Sequence, residues 1–404
     1  MARILFVQPS FQPPGGGNGV AAWMLQAVAG EHDVTVLTWR AIDFDAVNRF
    51  YGTSLRPSDV ALRQVGGVSR AIVERIPTSM ALMRSALLGE AAYRIASGFD
   101  LTMTANNEAE FGRPNIQYVH YPAYLRPRPR VDIRWFHHPE LMLDAYYWLA
   151  DRLHPMTRER LVRSRTLVNS DWTGRHFTAL HGGRTETLYP PIAANFTDVP
   201  WASRANGFVC IGRIAPEKRV ERIVDIVAGV RRVHPDAHLH IVGSPGERRY
   251  YRGVMALVRG LPWVAVHEDV SRDEVRQIIE THRYGLHAMV DEHFGMAPAE
   301  MVCGGCLVWV ADSGGQVEIV EGDPRFVYQS VDDAVGKILA MMGDPAAERQ
   351  ALARFAGRRH EWSAGRFQER VRAIVGEMLD GASSPSAALA ASARKTSEPA
   401  SNSS

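Results

Sequence analysis

Two carboxylates stand eight positions apart in the stretch Glu292-His-Phe-Gly-Met-Ala-Pro-Ala-Glu300, across a glycine turn. With a helix beginning near Gly295, Glu300 falls inside its second turn and Glu292 in the loop at its positive end. Free backbone N–H groups and aligned peptide dipoles make such an end attractive to phosphate. One acid can then grip a hydroxylated group on the helix face while the other reaches the atom beside the phosphate. That chemistry suits a sugar carried on a nucleotide.

A second constellation lies upstream. Residues 207–219 read Gly-Phe-Val-Cys-Ile-Gly-Arg-Ile-Ala-Pro-Glu-Lys-Arg. An apolar strand runs into Gly212 and Arg213, then a Pro-Glu turn, Lys218 and an amphipathic helix from about Arg219. The carboxyl end of a strand is where open α/β sheets bind ligands. Arg213 and Lys218 there can clamp a diphosphate, the first as a fork and the second as a point charge. Only three lysines stand among 46 Lys and Arg, so a lysine at this turn runs against the composition.

These residues need a scaffold, and the apolar patterning supplies one. β-rich runs alternate with helical patterns, which argues for parallel sheets joined by helical crossovers. Strands are expected at 3–8, 33–38, 100–104, 115–119, 165–169 and 185–189, with helices near 18–29, 70–88, 141–161 and 172–180. After a Pro190-Pro191 linker the alternation repeats, with strands 207–211, 237–242, 263–267, 284–288 and 306–310. Its helices fall near 217–233, 247–258, 271–281, 296–304, 331–342 and 346–358. The reading is α/β with two domains, 1–195 and 196–362, a terminal helix at 363–380, and from 381 an Ala/Ser/Pro-rich tail expected to be disordered.

Taken together, "GRIAPEK", "DEHFGMAPAE" and "DSGGQVEIV" resemble the C-terminal half of family-4 retaining glycosyltransferases. "QPSFQPPGGGNGVAAW" at 8–23, "YVHYP" at 118–122, "LVNSDWT" at 167–173 and "LYPPI" at 188–192 follow that family's order in the first half. "YVHYP" with "DEHFG" is closest to the α-1,2-mannosyltransferases that elongate dolichol-linked oligosaccharides. The resemblance implies the GT-B architecture, two Rossmann-like domains facing across a cleft, with the terminal helix crossing back onto the first. It implies a nucleotide-sugar donor, GDP-mannose by preference, and a glycan or lipid-linked acceptor. It places Glu292 near the sugar's 3-hydroxyl, backbone amides of Phe294, Gly295 and Met296 around the ring, and both ribose hydroxyls on Glu300. Arg213 and Lys218, with Gly212 beside them, then face the departing diphosphate. No cofactor and no metal are expected in the site, and no Asp-x-Asp at a strand end argues for manganese.

His120 follows an apolar strand, and Pro122 stops that strand, which puts the histidine at the carboxyl edge of its sheet. The resemblance makes it the first-domain histidine near the sugar's 6-hydroxyl. His293, next to Glu292, is a loop histidine that solvent would normally surround. Gly15-Gly16-Gly17-Asn18-Gly19 precedes an apolar helix, and Gly17-x-Gly19-x-x-Ala22 fits the dinucleotide fingerprint. A dehydrogenase is disfavoured because the glycines come six or more residues after the first strand, and the second strand ends in Trp39-Arg40 without a ribose-binding acid. In the transferase reading Gly16 and Gly17 let backbone approach the donor phosphate or acceptor.

Composition bounds the rest. The 404 residues carry 46% hydrophobic and 22% charged residues with a net charge of +2, too mild a balance to argue for nucleic acid. Three cysteines make no disulfide framework, and Cys303-Gly-Gly-Cys306 reads as two small packing residues. No charged leader with an apolar core opens the chain and no run reaches membrane-spanning length, so a cytoplasmic location is expected. The segment 124–138 mixes arginines with aromatics, a proline-stiffened loop that can also meet a membrane's inner face peripherally. The competing readings are a sugar-nucleotide epimerase of the same fold and a catalytically silent nucleotide- or glycan-binding protein. A phosphorylase lacks a lysine for a cofactor aldimine at a comparable site.

Overall fold

The structure is a computed structural model that describes residues 1–13, 15–66, 81–123, 140–154, 156–193 and 195–383. The basic-aromatic segment 124–138 and the tail beyond Ser383 lie outside the described residues. Strands β1 (Arg3–Val7), β2 (Asp33–Thr38), β3 (Ala61–Gln64), β4 (Leu101–Thr104), β5 (Ile116–Val119), β6 (Arg165–Val168) and β7 (Thr185–Thr187) form a first sheet in the order 3-2-1-4-5-6-7. Strands β8 (Ala205–Ile211), β9 (His238–Val242), β10 (Val264–His267), β11 (His282–His287), β12 (Leu307–Ala311) and β13 (Val327–Tyr328) form a second in the order 10-9-8-11-12-13. Every recorded pairing is parallel. Helices cover both faces, so central strands read as continuous apolar runs: all five residues of β12 are buried.

Strand order reverses between β1 and β4 and again between β8 and β11, and such switch points open crevices at the carboxyl ends of strands. The glycine run follows β1 at one of them. Gly212 and Asp291–Glu292, which follow β8 and β11, stand at the other. The two-sheet α/β expectation is met.

Local chemistry explains where the elements depart from the sequence reading. β3 was not expected, and its four residues, Ala-Leu-Arg-Gln, are all exposed at the sheet edge and carry no apolar signal. The helix Phe44–Tyr51 also escaped that reading, although Asp43 caps it by accepting from the Ala46 N–H and Gly52 closes it in the left-handed region. The helix expected over 141–161 ends at Leu153, just before Pro155, and a separate turn follows at Arg158–Leu161. The last helix, Ala364–Ser383, runs past the expected 380. Phe367, Val371, Ile374 and Val375 sit at i, i+4, i+7 and i+8 on it, and all four join Phe6 and Met24 in the first domain's core. The chain therefore leaves the second domain and returns to bind the first.

Candidate functional site

The short helix Met296–Cys303 is aimed by its first residue outside. Gly295 caps it at φ 105°, and a Cβ there would press on Ile319 Cδ1 at 3.0 Å and Gln316 Cβ at 3.2 Å. Glycine is the residue that tolerates both the left-handed backbone and the crowding. Pro298 lies in the first turn, where a missing N–H costs nothing. The loop before the helix is stitched to the 312–320 segment. Gly315 N–H donates to Glu292 O at 2.7 Å, and the Gln316 amide donates to Met289 O, Ala311 O and Ser313 O at 2.7 to 3.1 Å. Asp291, at φ 55°, and Arg219, at φ 48°, are non-glycine residues in the left-handed region on either side of the site. Strain of this kind persists only where surroundings over-determine it.

Lys218 and Glu292, 74 residues apart in sequence, meet here. Lys218 Nζ donates to Glu292 Oε2 at 2.6 Å and approaches Met289 Sδ at 3.3 Å, while its methylenes lie along Gly212. His287 Nε2 lies 3.1 Å from the same carboxylate oxygen. Burial pushes the Glu292 carboxyl up, but the Lys218 ammonium and the His287 hydrogen bond outweigh it and hold the group well below the usual carboxylate range. Burial, then the neighbouring lysine, lower His287. The cluster is thus an ionised acid between a cation and a neutral imidazole.

Glu300 has a different partner. It is buried on the helix Met296–Cys303 and pairs with Arg272 at 2.8 Å. Burial raises its pKa and Arg272 works against that. Arg213 does not join Lys218: it is largely exposed and pairs with Glu217 at 3.1 Å. Phe294 is buried and stacks on Tyr189 with ring centres 5.6 Å apart, so only its backbone is placed to meet a ligand. Cys303 and Cys306 are both buried thiols, pushed up to about 12 by burial.

The first domain supplies the opposite wall. His120 follows β5, and its Nε2 lies 3.0 Å from Ala105 O. Burial first, then repulsion from His293, lowers it to about 4 against the opposing Ala105 bond. A Cβ on Gly17 would lie 3.1 Å from His120 Nε2, and one on Gly16 would touch Met296 Cγ of the second domain at 3.5 Å. The glycine run, His120 and the start of the helix Met296–Cys303 therefore share one cleft.

Several residues of this cleft have no signal in isolation. His293, expected in solvent, stacks on Tyr121 at 4.1 Å with planes 6° apart, and Ser170 Oγ donates to its carbonyl at 2.5 Å. Glu318 reaches across the cleft to accept from the Asp171 and Trp172 N–H groups at 3.0 and 2.7 Å, capping the first-domain helix Asp171–His181. His287 and Arg272, the partners of the two acids, were also missed. Beside His293 a cavity of about 310 Å³ opens into the first domain, lined by Ser85, Asn106, Glu108, Tyr121 and Met156 among others.

Residues 192–359 match the family model described as glycosyl transferases group 1. The curated relatives include the human GDP-Man:Man(3)GlcNAc(2)-PP-Dol alpha-1,2-mannosyltransferase, 26% identical over 226 residues, 48% of this chain and 46% of that protein. The protein of the same description from Eremothecium gossypii is 24% identical over 259 residues, 57% of this chain and 44% of its own length. The chain thus spans about half the length of the curated relatives it matches. Among solved structures, Anabaena HepE in complex with UDP and glucose superposes with a TM-score of 0.64 at 15% identity, covering 93% of this chain and all of HepE. Sucrose-phosphate synthase from Thermosynechococcus elongatus gives 0.66 at 14% identity, covering 94% of this chain and 100% of that one. Residues 192–359 are thus similar to the glycosyl transferases group 1, and the two parallel sheets of the chain have the GT-B fold.

Proposed function

We propose that this chain is a retaining hexosyltransferase that moves mannose from GDP-mannose to a glycan or lipid-linked acceptor. The observation that carries the reading is the Lys218–Glu292–His287 cluster beside the Met296–Cys303 helix end, with Gly16, Gly17 and His120 on the facing wall. The sugar class and the donor base rest on the relatives, whose names specify GDP-mannose and a dolichol-linked acceptor.

A nucleotide sugar carries its own leaving group, so the task is to stabilise charge appearing on the diphosphate. Lys218 and the free N–H groups after Gly295 are preorganised positive groups at that place. Glu292, ionised at neutral pH, offers negative charge to the oxocarbenium-like carbon. Glu300, on the same helix, receives the ribose hydroxyls. His120, neutral at pH 7, hydrogen-bonds the sugar without adding charge. No metal takes part in this scheme, since lysine and helix end carry the positive charge. The acceptor enters through the cavity beside His293, and the 124–138 segment makes peripheral contact with the cytoplasmic face of a membrane.

The test is to incubate purified protein with GDP-mannose, UDP-glucose and ADP-glucose, each with a mannose-terminated glycan or its lipid-linked form. Transfer from GDP-mannose with an α-linked product by NMR is expected. Release of no nucleotide from any donor overturns the transferase reading, and a β-linked product overturns retention.

A further inference from the structure

We propose that the second domain carries a binding site for a zinc-class divalent cation, formed by His238, His240 and His282 at the amino ends of its strands. One ring nitrogen from each of these residues lies within 4.8 Å of the other two. His238 opens β9 and His282 opens β11, and these strands flank β8, so about 10 Å of sheet separates their backbones. The side chains close that gap by crossing over β8 at Gly207. A Cβ on Gly207 would overlap both rings, so the residue beneath the pair must lack a side chain.

Hydrogen bonding fixes which nitrogens face inward. His282 Nδ1 lies 2.6 Å from Ile278 O, and His238 Nδ1 lies 3.2 Å from Asp236 O. A carbonyl only accepts, so both Nδ1 atoms carry the hydrogen, and in the neutral rings both Nε2 atoms present lone pairs. Those two Nε2 atoms lie 3.1 Å apart. Two lone pairs at that distance repel unless something electropositive joins them. His240 turns its Nδ1 to His267 Nε2 at 2.8 Å, leaving its own Nε2 for a ligand. Ring nitrogens tied to a second partner through the far N–H are the usual arrangement of histidines that hold a metal. Around a tetrahedral ion with bonds of about 2.05 Å, ligand nitrogens stand about 3.3 Å apart, close to the spacing of the facing pair. Imidazole donors select zinc, cobalt, nickel or copper over magnesium or calcium, and three of them leave a fourth position for water or an outside ligand.

The site is separate from the donor cleft. Gly207 precedes Gly212 by five residues along β8, about 16 Å of extended strand. The one local sequence signal is the His238-x-His240 alternation, which puts two imidazoles on one sheet face. His282 comes from a strand two positions away and cannot be paired with them without the fold.

The test is calorimetric titration of the chelator-treated full chain with Zn²⁺, and with Co²⁺ followed by its visible absorption. One equivalent of each is expected, with Zn²⁺ displacing Co²⁺. His238→Ala and His240→Ala should each weaken binding at least a hundredfold with circular dichroism unchanged, whereas Glu292→Ala should not alter it. Should His240→Ala fail to fold, the half-buried His238→Ala carries the test alone. Absence of stoichiometric binding, or binding indifferent to these histidines, overturns the site.

Discussion

In the proposed reaction Lys218 serves two anions. In the free protein its ammonium is held by Glu292 at 2.6 Å, and a diphosphate arriving there must share it with that carboxylate. An interaction that strengthens as charge leaves the sugar acts mainly on turnover, so Lys218→Ala should lower kcat about a hundredfold or more. In the proposed reaction Glu300 receives the ribose hydroxyls, so Glu300→Ala should raise the donor KM about tenfold with a smaller effect on kcat. Equal and small effects from both would contradict these roles. His120 gives a prediction in pH. Its folded pKa, about 4, lies below the ordinary 6.5, so the unfolded chain takes the proton first. Its contribution to stability is complete above 6.5 and is lost as pH falls toward 4. Denaturant midpoints should therefore fall through that window, and His120→Asn should remove up to about 3 kcal/mol of the dependence. An unchanged slope in the variant would refute it. Lys218, Glu292 and Glu300 were legible because their motifs are local. His287 and Arg272, the partners of the two acids, were not, because each pairs with its acid only once the chain is folded.

At the scale of elements, the Met296–Cys303 helix depends on its left-handed cap. Gly295→Ala meets both the strained φ and the Ile319 and Gln316 side chains, and should cost about 1–3 kcal/mol by thermal unfolding. It should weaken donor binding as well, since the N–H groups it tilts are those offered to phosphate. A variant as stable as the parent and equally tight for donor would show the cap to be dispensable. Five of the six strands of the second sheet were expected, β12 most plainly because a buried parallel strand writes an apolar run, whereas the two-residue β13 was not. The edge strand β3 was not, since an exposed edge has no hydrophobic face to betray it. The Phe44–Tyr51 helix did carry its signals, Asp43 before and Gly52 after, in a segment too short for periodicity to draw attention.

At the scale of the molecule, the two domains are joined by more than the linker. Glu318 caps a first-domain helix, Ser170 holds the His293 carbonyl, and the terminal helix Ala364–Ser383 packs beside Gly16–Val28. Glu318→Ala removes two charge-assisted bonds to backbone and should lower stability by about 2 kcal/mol in calorimetry. No loss would mean that solvent already satisfies those N–H groups. Glu318 stands inside "DSGGQVEIV", yet its sequence neighbours name no partner 147 residues away. The claim on which the rest depends is that the second domain holds a nucleotide sugar between Lys218, the Gly295 helix end and Glu300. Calorimetric titration with GDP-mannose addresses it directly. Saturable binding of one equivalent is expected, weakened about tenfold or more by Glu300→Ala and less by Lys218→Ala, whose loss falls mainly on turnover. Absence of binding by GDP-, UDP- and ADP-sugars alike, or binding that neither substitution alters, would contradict it.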